Sequence, residues 1–272
     1  MARGNRKKQF LINNPFCIYC GGVEAAKTWD HMPNKGMFPK DRPGGLEFPS
    51  CEACNQGSKW FEDVASFVGS IRFQNTDRSI EHFTRKMEHL KVNHPEILDE
   101  FRPTNRQLRR VRNLSVDDTW ESAGVLNLQG ELVSKAMLLY GAKLGLALHW
   151  GKTKQALSRN EKLGVIWYSN ANAFDGNVPQ DLFKMLPDKH TLSEGRKVSE
   201  HPFLYASGQV PETGATAHWA IFGNAIVYFL FAGGSLNLSL LPKANVFSPG
   251  CLQTTKPTPA YTVVPWPQRQ ID

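Results

Sequence analysis

The sequence predicts an α+β fold, with a small metal-stabilised module near its N-terminus and an antiparallel sheet toward its C-terminus. Three observations predict it. Two C-x2-C pairs, Cys17/Cys20 and Cys51/Cys54, are separated by thirty residues. Apolar residues recur at helical spacing after Trp60 and again from Glu131 to Trp150. From His218 to Leu241, β-forming runs are divided by Gly223-Asn224 and Gly233-Gly234. The last run sets Leu236, Leu238 and Leu240 against Ser235, Asn237 and Ser239, the period-2 pattern of a half-buried strand.

The 272 residues suffice for one large domain or two small ones, and a hydrophobic fraction of 41% suits a folded globular chain. The formal charge of +7 and a pI near 9.2 fit a polyanionic partner, although such an excess is common in ordinary proteins and points there only weakly. Four of the five cysteines lie in the two pairs, which indicates thiolates reserved for metal in a reducing cytoplasm rather than a disulfide framework. Cys251, the fifth, is expected to be a small, half-buried apolar residue. Phe10-Leu11-Ile12 is too short for the apolar core of a signal peptide. Trp219 to Leu241 is interrupted by Asn224, Gly233, Gly234 and Asn237, so it is expected to be buried sheet rather than a membrane span.

Residues 1–16 form a basic arm carrying Arg3, Arg6, Lys7 and Lys8, either a solvated tail or a phosphate-contacting arm. Residues 17–75 form the metal module. Two C-x2-C knuckles are the pattern of a closed tetrahedral zinc site with four thiolate ligands, Cys17, Cys20, Cys51 and Cys54. Between them, Thr28 to Met32 is expected to be a strand, Asn34 to Gly45 a Pro- and Gly-rich loop, and Leu46 to Phe48 a short second strand ended by Pro49. Ser50 is the expected N-cap of the next helix, whose apolar face holds Trp60, Phe61, Val64, Phe67, Val68 and Ile71.

Residues 78–113 read as a helical basic connector. Ile80, Phe83, Met87 and Leu90 mark one face, and His94-Pro95 breaks the helix. A second helix from about Thr104 to Asn113 places Arg106, Arg109 and Arg110 on one face at i, i+3 and i+4. That face is either a phosphate-binding surface or a solvated one paired with Asp117 and Asp118. Residues 114–272 read as a separate C-terminal α+β domain of unknown role: a buried helix from Glu131 to Trp150, strands near 163–168, 203–210, 218–222, 225–232 and 235–241, and an irregular tail after Ser248. His82 and His89 can share a helix face. His149, His190, His201 and His218 have no partner at motif spacing and are expected to be ordinary structural or solvent-facing residues.

C-x2-C, Asp30-His31, a Pro-rich loop and C-x2-C-Asn-x3-Lys succeed one another in the order found in the zinc-stabilised HNH endonucleases, the ββα-metal nucleases, which the first quarter of the chain resembles. The resemblance implies that His31 is the general base, that Asp30 and Asn55 hold a catalytic Mg2+ or Mn2+, and that Lys59 reaches a phosphate or assists the leaving group. Many members carry an Asn before the second knuckle to orient the base. Here that place falls near Gly45 and Leu46, which leaves a backbone carbonyl to orient His31. Glu62, i+7 from Asn55 on the same helix face, could serve as a further metal ligand, but a solvated carboxylate is the expected reading. The expected function is a metal-dependent HNH endonuclease hydrolysing phosphodiester bonds in DNA, in phage defence, restriction or a mobile element. Its C-terminal domain would select targets, oligomerise the protein or sense a signal. The rival is a catalytically silent zinc module that binds nucleic acid or a protein partner.

Overall fold

A computed structural model describes residues 3–39, 42–71, 77–107, 109, 126–169, 178–194, 197–198, 203–223, 225–234 and 243–257. It has the α+β architecture expected, with an antiparallel sheet in the C-terminal half. The basic arm is a helix, α1 (Arg3–Asn13), whose Phe10 ring stacks on Trp29 at 5.4 Å. Strands β1 (Thr28–His31) and β2 (Glu47–Ser50) form an antiparallel hairpin in which Asp30 pairs with Phe48 and His31 with Glu47. Pro49 does not end β2 but lies inside it, opposite Trp29. An edge position tolerates its missing N–H.

Helix α2 (Glu52–Gly57) begins at once, and α3 (Lys59–Val68) comes after it. The N-cap of α2 is Cys51 rather than Ser50: its Sγ accepts from the backbone N–H of Cys54 at 3.4 Å. A cysteine of the second C-x2-C pair thus also serves as the cap. Helices α4 (Asp77–Asn93) and α5 (Pro95–Glu100) meet at His94, as the His-Pro break predicts. Residues 105–107 and 109 are helical, while Arg110 and the expected domain boundary near 114 lie outside the described residues.

Helix α6 (Glu131–Thr153) is the organising element of the second half. One side packs on α3. Another packs on an antiparallel sheet built from β3 (Leu163–Ser169), β4 (His190–Thr191), β7 (Phe203–Gln209), β8 (Thr216–Phe222), β9 (Ile226–Ala232) and β10 (Asn245–Phe247). Its spatial order is β10-β3-β9-β8-β7-β4. The two intervening strands, β5 (Ser193–Glu194) and β6 (Lys197–Val198), form a separate two-stranded ladder. Gly141 permits the close approach of α6 to the sheet, because a Cβ there would come within 2.6 Å of Val165 and 2.7 Å of Tyr228. Burial of α6 on both sides explains why its sequence is apolar nearly all round. One continuous cluster of buried residues runs from Cys17 through Phe61, Leu144 and Leu163 to Leu252, so the metal module and the sheet share a core. The expected strand at 235–241 falls outside the described residues. Among the described residues, no helix is long and apolar enough to cross a membrane.

Candidate metal centre and the ion cluster beside it

Cys17, Cys20, Cys51 and Cys54 are all buried, and their sulfur atoms lie within 4.8 Å of one another. A tetrahedral zinc with bonds of about 2.3 Å needs sulfurs about 3.8 Å apart, so the donor set and its size fit that ion. The hairpin explains the convergence. The first knuckle hangs on β2 through Ile18 N–H to the Pro49 carbonyl, and the strand returning from it does so through Lys27 N–H to the Ser50 carbonyl. The second knuckle begins where β2 ends. Among the four thiols, the hydrogen bond from Cys54 outweighs burial and draws Cys17 down to about 5, while burial and the Cys17 charge push Cys20 up to about 11.

Asp30 and His31 are neighbours on β1, so their side chains leave opposite faces of the strand. Asp30 points inward. Its Oδ2 accepts from the Tyr19 hydroxyl at 2.7 Å and meets the Lys143 ammonium at 2.9 Å. Lys143 comes from α6, has no exposed surface, and also pairs with Glu62 of α3 and lies 3.1 Å from Ser58 Oγ. Its ammonium sits 5.3 Å from the centroid of the Tyr19 ring. Burial opposes the charge on Lys143, but Asp30 and Glu62 outweigh it and raise its pKa. Burial likewise works against the Asp30 carboxylate, yet Lys143 and Tyr19 hold its pKa below the ordinary value. Glu62 is raised, because burial and the Asp30 charge together exceed the help of Lys143. Glu62 is therefore not a solvated carboxylate but a member of this buried cluster.

His31 lies on the other, partly exposed face. Its ring is 6.0 Å from that of Trp29, over which Arg6 of α1 sits at 5.7 Å. Its Nδ1 is buried and has no hydrogen-bond partner among the described residues, none of which supplies the expected orienting carbonyl. Burial and the nearby Arg42 and Lys35 charges, partly offset by Glu47, lower its pKa and favour the neutral ring. Arg42 has no distinguishing mark in the sequence. Its guanidinium donates to the carbonyls of Pro33 at 2.6 Å, Pro43 at 2.8 Å and Gly45 at 2.8 Å, closing the loop after His31. The loop needs such a tie, because Leu46 is held at φ +51, a left-handed conformation costly to residues other than glycine. Asn34 is committed to the same loop, bonded to Ser66 and Tyr140.

Asn55 and Lys59 do not join the Asp30 cluster. The Asn55 side chain is half-buried and makes no hydrogen bond among the described residues. Lys59 is exposed and lines a cleft of about 570 Å³ with Asp63, His89, His94 and Lys256. There, Asp63 Oδ2 is 3.0 Å from His89 Nε2 and 3.3 Å from His94 Nε2. His82 and His89, both on α4, have separate partners: His89 meets Asp63, and His82 Nδ1 lies 3.1 Å from Arg85. His149 and His218, unpartnered at motif spacing, share the buried Thr216 hydroxyl at 2.8 and 3.0 Å. Arg106 and Arg109 are exposed.

The divalent ion expected at Asp30 and Asn55 does not fit the arrangement, because the Asp30 carboxylate already has a cation in Lys143. No signal at motif spacing could have announced Lys143, which lies 81 residues beyond Glu62 on a helix whose pattern reads only as buried. Comparison with protein-family models, with curated proteins and with solved structures found no match to the chain.

Proposed function

We propose that this chain is a zinc-anchored endonuclease of HNH type that acts on DNA in the cytoplasm. One observation carries the proposal: a hairpin and the helix after it are joined by a four-cysteine centre, with a partly exposed His31 at the end of β1. In this reading His31 takes the proton from the water that attacks the phosphodiester. Arg6 of α1, beside Trp29, approaches the same face and suits a polyanionic strand. Incubation of the purified protein with plasmid DNA, with Mg2+, with Mn2+ and with EDTA, tests it. Cleavage by the wild type that falls by about 10²–10⁴ in His31→Ala, with zinc content unchanged, is the expected result. Absence of cleavage under every condition would refute it.

A second reading is favoured by the Lys143 contact. With Asp30 held by an internal ammonium, the module is a catalytically silent zinc unit that binds nucleic acid or a protein partner. DNA binding without cleavage, unaltered in His31→Ala, would support that reading.

A further inference from the structure

The four sulfurs are enclosed by more than their own module. Glu24 N–H donates to Cys20 Sγ at 3.3 Å and Cys54 N–H to Cys51 Sγ at 3.4 Å, bonds that the two knuckles make for themselves. A further donor arrives from the far end of the chain: Gln253 Nε2 lies 3.6 Å from Cys54 Sγ and 3.9 Å from Cys51 Sγ. The segment that carries it is fixed at several points. Gly250 N–H donates to the Tyr19 carbonyl at 2.8 Å, between the first two cysteines. The Leu252 side chain is wholly buried in the shared core. Its carbonyl rests on Gly57 of α2 so closely that a Cβ at that position would collide with it. Lys256 Nζ then reaches His94 Nδ1 at 3.1 Å and pairs with Glu96.

We propose that Gln253 is a positioning residue of the metal centre, its carboxamide N–H group donating to the thiolates of the second knuckle. Residues 250–256 thereby form a strap that completes the outer shell. The inference rests on the metal reading of the four cysteines and not on the nuclease reading. Four thiolates around a divalent ion leave a net charge of about −2. N–H···S bonds disperse that charge, lower the basicity of the sulfurs and fix their orientation. Outer-shell partners of this kind typically contribute about 10–100-fold to metal affinity. The arrangement also explains why Gly57 stands where the strap crosses α2.

Three variants of the full-length protein test the role, and because Gln253 itself is exposed they leave the core intact. Gln253→Met keeps the length and loses the donor. Gln253→Glu keeps the shape, loses the donor and adds a negative charge. Gln253→Lys keeps a donor. Zinc affinity, measured by competition with a chromophoric chelator, should fall about tenfold or more in the Met variant and further in the Glu variant. The Lys variant should stay close to wild type. In cobalt-substituted protein, the thiolate-to-cobalt charge-transfer band should move to longer wavelength in the Met and Glu variants, since sulfurs without N–H donors are easier to oxidise. Unchanged affinity and an unchanged band in Gln253→Met would overturn the proposal. So would equal losses in all three variants, which would mean that packing rather than donation matters, or a wild-type protein without metal at the four cysteines.

Discussion

The four-cysteine centre and the Asp30–Lys143–Glu62 cluster lie side by side, and both fasten the hairpin to helices later in the chain. They differ in reach. The cysteines all fall between positions 17 and 54, so the four sulfurs themselves come from the N-terminal module alone. The ion cluster takes its cation from α6 and so ties that unit to the sheet. They also differ in chemistry. A metal held by thiolates supplies folding free energy outright, whereas a buried ion pair largely offsets its own desolvation and is costly mainly when half of it is removed. The difference predicts that a metal at the cysteines would decide whether the module folds, and the ion cluster where it is anchored.

The largest effect is expected at the cysteines. Zinc binding supplies on the order of 10 kcal/mol or more in small zinc domains. Cys54→Ser should therefore abolish tight zinc binding and unfold the N-terminal module. Metal analysis with limited proteolysis checks this, and a metal-free variant that keeps the wild-type digestion pattern would show that the shared core suffices without the ion.

Next comes Lys143. Lys143→Met leaves Asp30 and Glu62 facing each other in a buried site without their cation, a change expected to cost about 3–5 kcal/mol in chemical denaturation. Adding Asp30→Asn and Glu62→Gln to that variant should recover much of the loss, because no uncompensated charge is left. The same variant bears on catalysis. If Lys143 excludes a divalent ion, Lys143→Met should gain an Mn2+ site, seen by electron paramagnetic resonance, that the wild type lacks. Wild-type Mn2+ binding that disappears in Asp30→Asn would instead restore the carboxylate to the ligand role expected from the sequence.

The same cluster gives a smaller, pH-dependent effect. The folded pKa of Lys143 is raised, so its contribution is fully present below its unfolded value of 10.5 and is lost as pH rises through the folded one. Asp30 is lowered, so its contribution is present above 3.8 and is lost as pH falls through its folded value. Glu62 is raised and acts in the opposite sense, weakening the fold as pH climbs from 4.5 through its folded pKa. Denaturation midpoints measured from acid to alkaline pH should lose their lysine-dependent alkaline limb in Lys143→Met. An identical alkaline profile in the two proteins would mean that other groups produce it.

Legibility in the sequence divides along the same line. The knuckles, the hairpin, the break at His94-Pro95 and α6 were legible because each depends on residues close in sequence. The role of Lys143 was not, since a lysine in a helix of apolar residues has no local feature to distinguish it from a snorkelling one. Arg42 was hidden similarly, because its partners are backbone carbonyls, which a sequence does not display. Glu62 was misplaced because its i+7 relation to Asn55 gives a helix face but not what packs on that face. What buries Glu62 is Lys143 of α6, 81 residues further on, which that spacing does not display.

The smallest effect is expected farthest from both clusters, at Arg106 and Arg109. Both are exposed and stand i, i+3 on a helical segment. Neither belongs to the thiolate centre or to the Asp30–Lys143–Glu62 cluster, so their removal should leave the fold and the metal content as they are. What they can change is affinity for a polyanion. Each phosphate contact on duplex DNA contributes about 0.9 to the slope of log K against log salt. If each arginine contacts one phosphate, Arg106→Gln with Arg109→Gln should lower that slope by about two and weaken binding equally on unrelated sequences. The comparison with Cys54→Ser is informative because that variant should lose DNA binding through loss of the module, whereas the arginine variant should lose only its salt-dependent part. An unchanged salt slope with full affinity would mark this segment as a solvated face and leave α1 as the basic element nearer the His31 surface.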